Sequence, residues 1–271
     1  IEQSENMSAM NLIDSHTNLY AEDFYSDRDI VIERAKAAGV TAVLLPNIDE
    51  SSIAPMFCLC DEHPEFAFPM MGLHPTSVDS HYSSKLQAIE KMLTKRPYCG
   101  IGEIGIDLHW EQAYLKEQRI VFEEQLKWSV DMDLPVSIHV RDAFSEVFDC
   151  IYKVGVERLK GVFHCFSGTV DELEEIKRMQ RFKIGVNGIV TFKKSALSDI
   201  IRMVPSTMLL LETDAPYLSP SPYRGKRNEP AFLIEVVKKV AEELQLSEDT
   251  VADLTRENTL ALFYIPYPTS N

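Results

Sequence analysis

Eight short apolar runs recur along the chain, and a stretch with helical periodicity follows each one. They are Asn11–His16 (NLIDSH), Thr41–Pro46 (TAVLLP), Phe66–Gly72 (FAFPMMG), Tyr98–Glu103 (YCGIGE), Pro135–His139 (PVSIH), Lys160–His164 (KGVFH), Phe182–Val186 (FKIGV) and Met208–Glu212 (MLLLE). Runs this short and this apolar suit strands covered on both faces. Pro69 makes the third the weakest strand. Between them, a helix is expected from Asp27, capped by Ser26 and stopped by Gly39, and others over Ser52–Asp61, Lys85–Leu93, Tyr114–Asp131, Ser145–Tyr152 and Leu197–Met203. Thr169 and Glu172 have capping-box spacing. Two further helices, starting at Pro230 and after a Ser247 cap, close the chain. Strand and helix alternating eight times predict an α/β fold, a TIM-type (β/α)8 barrel, with a doubly wound open sheet as the alternative. No linker, repeat or low-complexity block divides the chain, so residues 10–271 read as one domain and residues 1–9 as a leader outside it.

Within this pattern, Cys99–Asp107 (CGIGEIGID) is the most informative stretch. Gly102 and Gly105 flank one carboxylate, Glu103, and are expected to let backbone crowd close to a ligand there. Asp107 follows at even spacing. The other strand ends carry similar chemistry. Strand one runs into Asp14-Ser15-His16-Thr17-Asn18, strands five and six end in His139 and His164, and strand eight ends in Glu212-Thr213-Asp214. A barrel brings all strand C-termini to one face. His16, Glu103, His139, His164 and Asp214 would then meet, although far apart in sequence. Taken singly, each histidine reads as an ordinary packed or solvated side chain. Together with two acids at strand ends, they read as a site for one or two divalent ions of the zinc, manganese or magnesium type. His63 and His81 fall in polar turns and read as solvated, and nothing places His109. His74, in Gly72-Leu73-His74-Pro75, reads equally as a substrate contact or a rigid turn. Arg141 is a candidate phosphate contact, and Asp142 a candidate helix cap.

The net charge is −15, which excludes a broad electrostatic footprint for long duplex DNA. A nucleic-acid end held by ions and a few local cations remains compatible. Tyr223-Arg224-Gly225-Lys226-Arg227-Asn228 supplies such cations after strand eight, with Arg224 and Lys226 as candidate phosphate contacts or solvated loop residues. The five cysteines, Cys58, Cys60, Cys99, Cys150 and Cys165, show no paired framework and read as buried thiols of a cytoplasmic protein. The polar start, Ile1 to Met10, is not a signal peptide, and no apolar run is long enough to span a bilayer.

The segments IDSH, GLHP, GEIGID, LPVSIHVRDA, FHCFSGT, LLLETDAPYLSP and RGKRNEP together resemble the TatD-type metal-dependent hydrolases, TIM-barrel members of the amidohydrolase group, from Leu12 to Phe263. The resemblance implies a divalent-metal phosphodiesterase acting on DNA, single-stranded or at duplex ends, with 3′-end trimming as one activity. It implies Glu103 bridging two metals, with His139 and His164 on one, and His16 and Asp214 on the other. Neither a membrane nor an obligate protein partner is implied. There is one departure. The family usually has His-x-His after the first strand, and here Asn18 takes the second place. An amide oxygen is a weaker ligand than imidazole, so the site of His16 and Asp214 is expected to be weaker or differently selective. The working mechanism is in-line hydrolysis, with Glu103 and Asp214 as the catalytic carboxylates and Arg224 offsetting charge. Two other readings stand beside it. One is a metal-dependent amidohydrolase or esterase on a small carbonyl substrate. The other is a non-catalytic protein with a degraded metal site, which Asn18 supports and the remaining donors oppose.

Overall fold

The computed structural model describes residues 10–110 and 112–265. The leader expected over residues 1–9 lies outside the described residues. Eight strands form one parallel sheet in sequence order: β1 (Leu12–Asp14), β2 (Val40–Leu45), β3 (Ala67–Met71), β4 (Gly100–Asp107), β5 (Val136–Arg141), β6 (Gly161–Phe163), β7 (Phe182–Val186) and β8 (Leu209–Leu211). The ring closes between β8 and β1. Ser15 N–H donates to Leu211 O at 3.0 Å, and the Asp14 carboxylate accepts Thr213 N–H at 2.9 Å and Thr213 Oγ1–H at 2.5 Å. The fold is therefore the expected (β/α)8 barrel and not an open sheet.

The helices are α1 (Arg28–Ala37), α2 (Glu50–Glu62), α3 (Tyr82–Glu90), α4 (Leu115–Met132), α5 (Phe144–Val154), α6 (Val170–Arg178), α7 (Leu197–Ile201), α8 (Leu233–Leu244) and α9 (Glu248–Leu262). The strands are apolar on both faces for a visible reason. Along β2, Ala42 and Leu44 belong to the core inside the barrel, while Val43 and Leu45 belong to the core between sheet and helices. A fully buried leucine such as Leu44 contributes roughly 2 kcal/mol. α9 packs over the seam between β8 and β1. Its end delivers Leu262 and Phe263 to the inner core, and Tyr264 N–H donates to Cys99 O at 3.3 Å, just before β4. The start of the strands is thus plugged by apolar side chains, and the polar residues collect at the opposite mouth.

Three local expectations need correction. Ser26 does not cap α1; Asp27 holds the N-cap position, and its carboxylate turns to Arg227, at 2.9 and 2.7 Å. Asp142 does not cap α5, whose N-cap is Ala143; its Oδ2 sits 3.1 Å from His109 Nδ1. Cys58 is exposed, with Sγ donating to Glu62 Oε1, while Cys60, Cys99 and Cys150 are buried as expected. The Thr169–Glu172 capping box of α6 and the Ser247 cap of α9 are present. Pro69 is accommodated within β3, opposite Leu45 of β2.

Candidate metal centre

Glu103 owes its position to an irregularity in β4. Its register with β5 runs from Ile101 opposite Val136 to Ile104 opposite Ile138, so β4 carries one extra residue. Such a bulge re-aims a side chain next to a site. Gly102 and Glu103 lie in it, and their backbone pairs instead with Asn47 after β2, through two 3.0 Å hydrogen bonds. The flanking glycines serve the neighbouring strand and not a ligand, contrary to expectation. A Cβ on Gly102 would lie 2.9 Å from Ser137 Cβ. Gly105 has φ +149°, and a Cβ there would meet His139 O at 1.9 Å.

The buried Glu103 carboxylate faces four imidazoles. His139 Nδ1 is 2.9 Å from Oε1, His164 Nε2 3.1 Å and His74 Nε2 3.2 Å; His16 Nε2 is 3.2 Å from Oε2. Asp214 Oδ1 lies 3.7 Å from His16 Nε2. The five strand-end residues do converge, and His74 joins them. Their donor atoms form two close groups around the shared carboxylate: His16, Glu103 and His164, and His74, Glu103 and His139. This grouping differs from the implied partition of His139 with His164. The rings of His16 and His164 stack face to face, with centroids 3.6 Å apart.

Each imidazole is fixed from behind. Glu212 Oε1 accepts from Cys165 N–H at 2.6 Å and lies 3.1 Å from His164 Nδ1. Asp107 Oδ2 lies 2.8 Å from His139 Nε2, and Ser137 Oγ 3.2 Å from His16 Nδ1. For His74, Thr76 N–H donates to Nδ1 at 3.1 Å, which leaves the ring proton on Nε2. His74 therefore presents an N–H to Glu103 and is a donor, not a cation ligand. Sequence reasoning missed Glu212, Asp107 and Ser137 in these supporting roles. Even spacing from Glu103 to Asp107, and from Glu212 to Asp214, was the available signal.

The charges follow from burial and neighbours. Burial opposes ionisation of Glu103, but the surrounding imidazoles outweigh it and hold its carboxyl well below the usual range. Burial likewise opposes charge on His139 and His164. Asp107 with Glu103 outweighs it for the first, Glu103 with Glu212 for the second, so both stay protonated above the ordinary imidazole range. His16 and His74 are pushed down, chiefly by burial, and are neutral. Burial, reinforced by Glu103 and Glu212, lifts Asp214 to about 8.

One atom decides whether these residues fit a cation. His16 Nε2 is fully buried and has no hydrogen-bond partner, yet it faces two carboxylates. A buried acceptor left unpaired costs about 1–3 kcal/mol. A divalent ion between imidazole and carboxylate oxygen would satisfy it, and the donor set is one such ions favour. The residues fit.

Asn18 lines the same cavity. Tyr20 Oη donates to Pro46 O at 2.5 Å and lies 3.2 Å from the Asn18 side-chain amide. The amide atom nearest the hydroxyl is Asn18 Oδ1, the longer of the two acceptors that Tyr20 Oη–H faces. The cavity is about 700 Å³ and also reaches Arg141, whose guanidinium lies 5.3 Å from the Trp110 ring centroid. Arg224 and Lys226 do not line it. Arg224 lies 3.8 Å over the Phe192 ring and donates to Ser219 O, and Lys226 lies 5.8 Å from the Tyr223 ring.

A family model described as TatD related DNase matches residues 13–264. The chain belongs to this family. Among TatD-family relatives, it is 36% identical over 256 residues to a protein of Rahnella sp. (strain Y9602) named 3'-5' ssDNA/RNA exonuclease TatD, covering 91% of this chain and 95% of that protein. It is 33% identical over 255 residues to the uncharacterized metal-dependent hydrolase YabD of Bacillus subtilis (strain 168), covering 94% and 99%. The crystal structure of the TatD homologue YjjV from Escherichia coli K12 superposes with a TM-score of 0.89 at 29% identity, covering 96% of this chain and all of that one. This TatD-family chain is thus a metal-dependent hydrolase, and its converging His/Glu donors form a cluster that could bind metal ions. Among the described residues, no helix is long and apolar enough to cross a membrane.

Proposed function

We propose that this hydrolase is a cytoplasmic nuclease that trims single-stranded nucleic acid, DNA foremost, from its 3′ end. The buried, partnerless His16 Nε2 between Glu103 and Asp214 carries the reading that the mouth of the barrel is the reaction site. The nuclease names of relatives such as the Rahnella protein support the substrate class. The unpaired cysteines support a reducing compartment.

Glu103, His16, His139, His164 and Asp214 would hold one or two divalent ions, with the Asn18 amide oxygen as the weakest donor. Once bound, such ions polarise the phosphodiester and offset transition-state charge. The chain supplies the rest. Glu103, fully ionised, fixes the donor geometry. Asp214, whose Oδ1 faces His16 Nε2 at 3.7 Å, takes the proton of the attacking water. His74, its tautomer fixed by Thr76, keeps its Nε2–H on Glu103 Oε1 and braces that carboxylate beside the phosphate site. Arg141 at the rim pairs with the next phosphate. Arg224 and Lys226, off the cavity wall, act at most on more distant phosphates.

The test is digestion of a 5′-labelled single-stranded oligonucleotide by protein purified without chelator, resupplied with zinc, manganese or magnesium. The expected product is a descending ladder from the 3′ end, lost in Glu103→Ala. Turnover of small amides, lactones or carboxylic esters without any ladder would overturn the reading.

A further inference from the structure

Trp110 and Tyr217 are 71% and 60% exposed, unusual values for large rings, and both line the cavity that holds Glu103. Trp110 sits on the loop leaving β4, and Tyr217 on the loop leaving β8. In a closed ring of eight strands in sequence order, β4 and β8 are diametrically opposed. The two rings therefore stand on opposite sides of the mouth, with the candidate metal centre below them.

Both loops are anchored. Asp107 Oδ1 accepts His109 N–H at 3.0 Å and Trp110 N–H at 3.3 Å, while its Oδ2 holds His139. The Trp110 ring is braced by His109, edge-on with centroids 4.9 Å apart, and by Arg141. Tyr217 N–H donates to Asp214 O at 2.9 Å, and Tyr217 O accepts from Asn228 Nδ2 at 2.6 Å. A solvent-facing ring on a fixed loop gains most from a flat apolar partner, and every nucleobase offers a π-face.

We propose that Trp110 and Tyr217 form an aromatic clamp that stacks the unpaired bases next to the scissile phosphate, so that the enzyme selects splayed, single-stranded ends. The clamp rests on the nuclease reading for its substrate. Bases in a duplex are stacked on each other and offer no free faces, so a paired end enters only after fraying. Arg141 beside Trp110 then meets the phosphate attached to the stacked base.

The test compares a labelled single-stranded deoxyoligonucleotide with the same strand made abasic at its 3′-terminal positions. In the parent, kcat/KM should fall about tenfold on the abasic strand, within what stacking of one base contributes. Trp110→Ala and Tyr217→Ala should each lose about as much on the normal strand and nothing further on the abasic one. Trp110→Phe should retain most of the activity. Binding gives a second readout that needs no turnover. With chelator present, the normal strand should quench the fluorescence of exposed Trp110 and leave buried Trp128 unchanged. The abasic strand should not quench, and Trp110→Phe should abolish the response. Equal turnover of normal and abasic strands by the parent overturns the clamp and leaves the nuclease reading intact. Base-dependent quenching without turnover of any strand supports the clamp and overturns the nuclease reading. Neither quenching nor turnover overturns both.

Discussion

Glu212→Gln separates holding a ligand from being one. Glu212 is fully buried, and its Oε1 accepts from Cys165 N–H and orients His164 through Nδ1, at 2.6 and 3.1 Å. With Nδ1–H committed to Glu212, Nε2 is the nitrogen presented to the centre. The Gln side chain has the same shape, and its amide oxygen can keep both hydrogen bonds. What disappears is a negative charge next to a ligand imidazole, so the imidazole becomes less basic. Loss of such a partner weakens metal affinity about 10–100-fold, or roughly 1.4–2.7 kcal/mol. The assay is a zinc titration against a competing chelator at fixed pH. Glu212→Ala provides the contrast, because it also leaves Cys165 N–H without its partner and should cost a further 1–3 kcal/mol or so of fold stability in urea. A zinc affinity for Glu212→Gln within about twofold of the parent would refute the reasoning, since an uncharged acceptor would then orient His164 as well as the carboxylate does.

Other substitutions and conditions probe the remaining parts of the centre. Asn18→His should tighten the weaker zinc site and do little for magnesium, read by stoichiometric titration; two equally tight sites in the parent would show that Asn18 is compensated. Gly105→Ala should cost about 3 kcal/mol or more in urea denaturation, because its Cβ would press on His139 O in a left-handed backbone conformation; a shift below about 1 kcal/mol would mean that β5 yields freely. The ion-free protein should lose stability as pH rises from 6.5 to about 8. His139 and His164 have raised folded values, so their contribution is present below the ordinary imidazole value and is lost as pH rises through the folded one. Asp214, raised to about 8, acts with the same sign, while the lowered His16 and His74 no longer titrate there. Urea midpoints in chelator that rise over this window would contradict the charge assignment, and added zinc should flatten the fall by displacing those protons.

The barrel was legible because parallel strands buried on both faces leave near-continuous apolar runs, and β7 begins and ends on the residues its run marks. The ligand candidates were legible for a related reason: a polar residue directly after such a run has one place to go, the mouth. What the runs could not show is how far a strand continues. The Gly-Glu-Ile-Gly of β4 reads as a strand end, yet the bulge lets β4 continue to Asp107. The caps expected at Ser26 and Asp142 went wrong in different ways. Asp27 takes the N-cap position in place of Ser26 and spends its carboxylate on Arg227, while the Asp142 carboxylate turns to His109 across the fold instead of to the helix N-terminus beside it. Glu212 was visible at the end of its run, but its even spacing to Asp214 was the one sign of its task, because its partners Cys165 and His164 lie on another strand's end.

Asp107 shows why the site and its rim have to be read together. One oxygen holds the imidazole of His139, which faces Glu103; the other holds the backbone of the loop that presents Trp110. The carboxylate is nearly fully buried, so neither contact is diluted by solvent. Replacing it with alanine would release both ends at once, and the two losses could not be told apart. Asp107→Asn resolves them, because an amide can still accept from His109 N–H and Trp110 N–H through its oxygen while its NH2 group can no longer accept from His139 Nε2–H. Metal affinity should therefore fall by about tenfold or more while the Trp110 response to single strands persists. Loss of both in Asp107→Asn would place the rim under the control of His139, and loss of the Trp110 response alone would show that the amide turned its NH2 group toward the loop.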